Sequence, residues 1–245
     1  MTERDEFTAS ANNETVLSLT PETIAAEMPQ ISAEMADKFY KYYNLLIEWN
    51  QRMNLTRITE PMEVVRKHFA DSVLGESLIP HGARVIDVGT GAGFPGVPLA
   101  IVRPDIELVL VDSLGKRIRF LDELLSSIGV RARTIHARAE DAARMTDLRE
   151  RFDVSLSRAV APMNVLTELT IPFVKVGGAS LMYKSAGAEE EIAACGRAFR
   201  VLNCTAETVV FDVPWGARNI VVARKTAPTP GKYPRKAGFI EKAPL

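Results

Sequence analysis

Arg84-Val85-Ile86-Asp87-Val88-Gly89-Thr90-Gly91-Ala92-Gly93-Phe94-Pro95-Gly96 is the stretch on which the reading of this chain turns. Its first five residues read as a short buried strand, the glycine run follows at once, and Val97 to Val102 reads as a helix. Glycines let a backbone turn tightly and come close to a ligand, and the helix start behind them offers unpaired N–H groups. Asp112 closes the next strand, 19 residues after Gly93. A carboxylate there can accept both hydroxyls of an adenosine ribose, so loop and acid together point to an adenosine-containing cofactor rather than to a tight turn beside a surface aspartate.

Strands and helices alternate from here to the end. Glu107–Asp112, 131–137, 152–157, 179–184, 205–213 and 219–224 read as strands, the last two as an antiparallel pair. Lys116–Ile128, 166–174 and 189–200 read as helices. The pattern predicts a mostly parallel seven-stranded α/β sheet covered on both faces, residues 81–225. Upstream, Phe39, Tyr42, Tyr43, Leu46 and Trp49 recur at helical spacing within 33–51, and two shorter helices are expected after Pro61 and over 72–78. Residues 31–80 are therefore expected to be a helical cap. Residues 1–30 are expected to be a flexible acidic extension, although Thr20-Pro21 offers a helix cap. From Thr226 on, three prolines and no apolar period predict a basic tail, 226–245.

Composition narrows the class. Among 245 residues, 47% are hydrophobic and 25% charged, the globular balance. Cys195 and Cys204 are too few for a disulfide framework, no Cys/His cluster has zinc spacing, and no metal is expected. There is neither a membrane-length apolar run nor a secretory start, so a reducing cytoplasm is the expected location; the sequence leaves the oligomeric state open, with a monomer as the default. Net charge is −1, but residues 1–35 carry seven acids against Arg4, and residues 224–245 carry six bases against Glu241.

The cofactor is open on the loop alone. Gly91, Gly93 and Gly96 satisfy G-x-G-x-x-G, which a dinucleotide would use. Asp87 before the G-x-G-x-G run looks like the first motif of S-adenosylmethionine-dependent methyltransferases, in which that acid helps orient the amino-acid end of the cofactor. The longer string from Ile86 to Ala100, then Arg103-Pro104 and Val111-Asp112-Ser113-Leu114-Gly115-Lys116-Arg117, closely resembles the RsmG family, also called GidB, of bacterial ribosomal small-subunit RNA methyltransferases. So do Trp49-Asn50, Asn54-Leu55-Thr56, His68-Phe69-Ala70-Asp71-Ser72, Ser157-Arg158-Ala159 and Lys232-Tyr233-Pro234-Arg235-Lys236-Ala237-Gly238; the match runs over about 39–245. The resemblance implies a Rossmann-like class I methyltransferase fold. It also implies transfer from S-adenosyl-L-methionine to N7 of a guanine in the 530 loop of 16S ribosomal RNA, within the RNA or the small subunit. By family analogy, loss of that methyl group would alter streptomycin sensitivity. Carried over by position, Gly89 and Phe94 contact the cofactor, Asp112 takes the ribose with Ser113 and Leu114 beside it, and Ala139 and Glu140 hold the adenine. Asp87, Gly91 and Gly93 are expected to bind the cofactor with them, and so is Arg158, which also lies near the transfer site as a positioning residue rather than a base. Ser185 after Lys184 and Asn219 after Arg218 depart from the family's usual glycine and histidine.

The chemistry agrees. Guanine N7 has a free lone pair and no proton, and a sulfonium methyl is already activated, so transfer needs in-line positioning more than a base. No nucleophilic cysteine and no Asn/Asp-Pro-Pro-aromatic motif follows the fourth strand; Ser157-Arg158 stands there. Arg158 can donate to guanine O6 or to a phosphate. A helical His68 reads more readily as a packed residue than as a catalyst. Candidate RNA contacts are Lys116, Arg117, Lys184, Arg218, Lys232, Arg235 and Lys236, with Tyr233 available to stack. Two other classes remain: an NAD(P)-dependent oxidoreductase, for which no Tyr-x-x-x-Lys is present, and a non-catalytic RNA-binding module of ribosome assembly.

Overall fold

The computed structural model describes residues 18–184 and 187–245. Residues 1–17 of the expected extension and Ser185 lie outside them. The centre is a seven-stranded sheet of β1 (Arg84–Val88), β2 (Glu107–Asp112), β3 (Ala132–His136), β4 (Phe152–Arg158), β5 (Val174–Lys184), β6 (Cys204–Phe211) and β7 (Arg218–Lys225), in the order β3-β2-β1-β4-β5-β7-β6. The first five strands are parallel, and β7 runs antiparallel between β5 and β6. The apolar runs of β1 and β2 are buried almost throughout, as strands covered on both faces must be.

The helices are α1 (Pro21–Glu27), α2 (Ala33–Asn50), α3 (Pro61–Val64), α4 (Asp71–Val73), α5 (Gly96–Val102), α6 (Gly115–Ile128), α7 (Ala139–Ala142), α8 (Met163–Thr170), α9 (Ala188–Ala194), α10 (Gly196–Val201) and α11 (Ala237–Lys242). The stripe on α2 buries Phe39, Tyr42 and Leu46 completely, in one cluster with Val97 of α5 and Phe120 of α6. The helical cap is thus continuous with the core on one face of the sheet.

The structure departs from the sequence-based expectation in several places; the helix expected over 189–200, for one, is the pair α9 and α10. A π-helical turn, Val65–Ala70, joins α3 to α4, so the two helices expected after Pro61 are one continuous run. Strand β5 begins at Val174, ahead of the expected 179, through a register shift opposite Phe152–Val154. Thr20 caps α1, whose Ile24 and neighbouring Met28 enter the core, so the chain is folded well before residue 30. The tail is also seated. Tyr233, Ile240 and Leu245 are buried as isolated anchors, a spacing that no periodicity test detects.

β1 lies between β2 and β4, which belong to opposite halves of the sheet. The crevice beyond the carboxyl ends of β1 and β4 is therefore where this topology offers a ligand site.

Candidate active site

The glycine loop leaves β1 at that crevice. Gly89 N and Thr90 N both donate to Val111 O, at 2.9 and 3.1 Å, which ties the loop to the end of β2. Asp87 is fully buried beneath it and accepts from Thr90 Oγ1 (2.8 Å) and Gly96 N (2.9 Å); its Oδ1 has no hydrogen-bond partner within the protein. Burial pushes the Asp87 carboxyl up to about 6 against the pull of those donors. Asp112 braces the loop from the other side, accepting from Gly91 N (2.9 Å), Leu114 N (2.9 Å) and Arg117 Nη1 (3.2 Å).

Neither Gly89 nor Gly93 has room for a side chain. Gly89 sits at φ +72°, and a Cβ there would stand 2.9 Å from Val160. Gly93 sits at φ +97°, where a Cβ would stand 2.6 Å from the Tyr42 hydroxyl. That hydroxyl donates to Ala92 O (2.5 Å). Gly93 therefore admits the α2 helix and is not among the residues facing the cavity described next.

A cavity of about 670 Å³ opens over the loop. Gly89, Asp112, Ser113 and Arg117 line one side and Arg138, Ala139 and Glu140 a second; Ala159–Pro162, Asn164 and Val165 complete it with Glu241 and Pro244 from the tail. Its size is that of a small-molecule site. A buried carboxylate at the floor, backbone edges at Ser113 and Ala139, and a glycine that could take no side chain fit an adenosyl group. Leu114 is half-exposed, with its amide on Asp112, and is not among the residues that line the cavity.

A second cavity, about 430 Å³, is lined by Asp71, Arg158, Tyr183, Lys184, Glu191 and Arg218 among others. It shares Ala159 and Ala161 with the first, so the two meet at the turn after β4, where Ala159 takes φ +56°. Asp71 organises it. Its Oδ1 accepts from Arg218 Nε (2.7 Å) and Trp215 Nε1 (3.0 Å), and its Oδ2 lies 3.8 Å from Arg158 Nη1. The Arg158 guanidinium lies over the Phe94 ring at 4.9 Å, and His68 stacks on the same ring at 4.6 Å. Asn50 Oδ1 accepts from the amides of Leu55 and Thr56, and Thr56 Oγ1 lies 2.7 Å from His68 Nε2. Burial, helped by the Arg158 charge, draws His68 down to about 4, so it is neutral near pH 7. His68 and Phe94 thus hold Arg158 in place, and neither lines a cavity.

Four of the seven expected RNA-contacting cations are already paired. Arg117 binds Asp112, Lys184 Nζ binds Glu191 (2.7 Å), Arg218 binds Asp71, and Arg235 chelates the buried Glu168. Lys116, Lys232 and Lys236 are exposed. Tyr233, expected to be free to stack, is buried. Asp71, Trp215 and Glu191 escape a reading by motif: Asp71 lies within a matched string, but its partner Arg218 stands 147 residues away.

The family model described as rRNA small subunit methyltransferase G matches residues 35–221. This chain belongs to the GidB family. A ribosomal RNA small subunit methyltransferase G from Thermoanaerobacter pseudethanolicus is 46% identical over 215 residues, covering 85% of this chain and 90% of that protein. One from Desulforamulus reducens is 42% identical over 236 residues, covering 94% and 98%. Among solved structures, a methyltransferase from Pyrococcus furiosus superposes with a TM-score of 0.52 at 14% identity, covering 64% of this chain and 82% of its own. TYW2 of M. jannaschii, solved with AdoMet, gives 0.51 at 15%, covering 68% and 77%. The fold is the Rossmann-like class I S-adenosylmethionine-dependent methyltransferase fold, and the family match removes the oxidoreductase alternative. Among the described residues no helix is long and apolar enough to cross a membrane, and no group of side chains could hold a metal ion.

Proposed function

We propose that this GidB family member transfers the methyl group of S-adenosylmethionine to N7 of a guanine in the 530 loop of 16S ribosomal RNA. The observation that carries the reading is the junction of two cavities at Ala159–Ala161, one built for an adenosyl group and one for a polar planar acceptor. The nucleotide itself rests on the family resemblance.

The acceptor cavity is complementary to guanine. That base presents O6 as an acceptor beside N1–H and N2–H₂ donors, and Arg158 with Asp71 and Glu191 supplies both complements at one site. Arg158 aimed at O6 would leave N7 free. The lone pair of N7 attacks the sulfonium methyl in line, the C–S bond breaks onto sulfur, and the products are S-adenosylhomocysteine and a cationic 7-methylguanine. No proton moves in this step, which suits a site whose nearest histidine is neutral and turned into the packing. Asp87, Gly89, Gly91 and Asp112 would hold the donor with Ser113, Leu114, Ala139 and Glu140, and Lys116, Lys232 and Lys236 would meet phosphates.

Purified protein, methyl-labelled S-adenosylmethionine and small subunits from cells lacking the enzyme test the assignment. Label is expected at a single guanine of the 530 loop, mapped by cleavage at 7-methylguanine, and lost with Asp112→Ala. Label elsewhere in the RNA would overturn the nucleotide. Donor binding with no label in RNA would overturn the substrate and return the non-catalytic module to consideration.

A further inference from the structure

The chain after β7 returns across the molecule to the cofactor cavity, and it is fastened on the way. Lys225, with no exposed side-chain surface, donates to Val174 O (2.8 Å) and to the Glu150 carboxylate, which also accepts from Thr229 N (2.8 Å). Arg149 donates to Thr229 O (3.0 Å) and Tyr233 O (2.9 Å). Arg235 chelates Glu168 through its backbone N (2.7 Å) and Nη2 (2.6 Å). Beyond Arg235 the hold is lighter, with Arg235 Nη1 donating to Ala243 O (2.9 Å). Only Ile240 and the last residue, Leu245, are buried, and Phe239 is 67% exposed.

This lightly held end is the part that reaches the cavity. Glu241 and Pro244 line it together with Arg138, Ala139 and Glu140. Glu241 Oε1 stands 3.8 Å from Arg138 Nη2, and Arg138 Nε donates to Glu140. Both ends of the lip pair are open to water, with side-chain exposures of 70% for Glu241 and 54% for Arg138. An ion pair so placed is weak and easily opened.

We propose that residues 237–245 are a strap that forms the outer wall of the cofactor cavity, with Glu241 and Pro244 as binding residues for the adenosyl end and the Arg138–Glu241 pair closing the lip. The proposal rests on S-adenosylmethionine occupying the first cavity, and not on the identity of the RNA site. A wall fastened at Arg235 and loose beyond it lets the donor enter and the product leave without disturbing the sheet.

The test uses S-adenosylhomocysteine as the probe, without RNA or turnover. Calorimetric titration compares the full chain, a chain ending at Lys236, Ile240→Ala and Glu241→Gln, with thermal melting of each to show that the fold persists. The shortened chain is expected to bind roughly tenfold more weakly, Ile240→Ala to follow it, and Glu241→Gln to lose about two- to threefold. Amide exchange of residues 237–245 is expected to slow when the probe binds. Equal affinity in the full chain, the shortened chain and Ile240→Ala, with unchanged exchange, would overturn the proposal. Failure of the full chain to bind the probe would overturn it together with the reading beneath it.

Discussion

Asp87 and His68 titrate in opposite directions because burial disfavours the charged form of each. His68 is drawn from 6.5 to about 4, with the Arg158 charge adding to burial. Between those values the unfolded chain takes a proton that the fold refuses, so stability is present above pH 6.5 and lost as pH falls towards 4. Asp87 is raised from 3.8 to about 6. There the fold keeps a proton that the unfolded chain has released, so stability falls as pH rises from 3.8 to 6. The two slopes oppose each other across pH 4–6. Asp87→Asn is expected to gain more stability than the parent protein on going from pH 4.5 to 6, and His68→Gln less, each by on the order of 1 kcal/mol per pH unit in urea unfolding. Identical pH slopes in all three proteins would contradict this account of the two groups. At this scale the sequence makes the sharp turn at Gly89–Gly96 legible, because strand, glycine run and helix are contiguous. It does not tell what each glycine makes room for. Gly93 answers to Tyr42 on α2, a contact between residues far apart in the chain.

Helix α2 and strands β1 to β4 were readable as elements, since each carries its own period or apolar run. The return of the chain over 226–235 was not, because its fastenings come one at a time from α8, β7 and the 143–151 segment. Arg235 shows the consequence. In the sequence it is one cation of a basic tail, whereas in the fold it neutralises Glu168, a carboxylate with no exposed surface. Removing one member of a buried pair leaves an uncompensated charge, so Arg235→Ala is expected to cost about 3–5 kcal/mol of unfolding free energy. Arg235→Ala with unchanged stability and weakened RNA binding would restore its reading as an RNA contact. The π turn that joins α3 to α4 was equally invisible, yet it carries His68 to the Phe94 ring and ends beside Asp71.

Alternation of strand and helix made the sheet legible across the whole molecule, and the order of its parallel strands placed the site at the β1–β4 crevice. The position of β7 between β5 and β6 needed the structure, and it matters, because β7 brings Arg218 beside Asp71 and Lys184. Charge is distributed so that Lys116, Lys232 and Lys236 are the exposed members of the expected RNA set, while Arg117, Lys184, Arg218 and Arg235 are paired. Replacing those three lysines by glutamine is expected to lower the slope of log affinity against log salt by about 2 in subunit binding. An unchanged slope would move the RNA face elsewhere. The central claim is a division of labour between two adjoining cavities, with the donor held over Asp112 and the acceptor base positioned by Arg158. Donor affinity and single-turnover methyl transfer to small subunits, measured on Asp112→Asn and Arg158→Ala side by side, test it most directly. Asp112→Asn is expected to weaken donor binding more than tenfold, and Arg158→Ala to keep donor affinity while losing transfer by about 10²-fold or more at saturating donor. Loss of donor affinity in Arg158→Ala equal to that in Asp112→Asn, with transfer restored at high donor, would place Arg158 in the cofactor site and contradict the account.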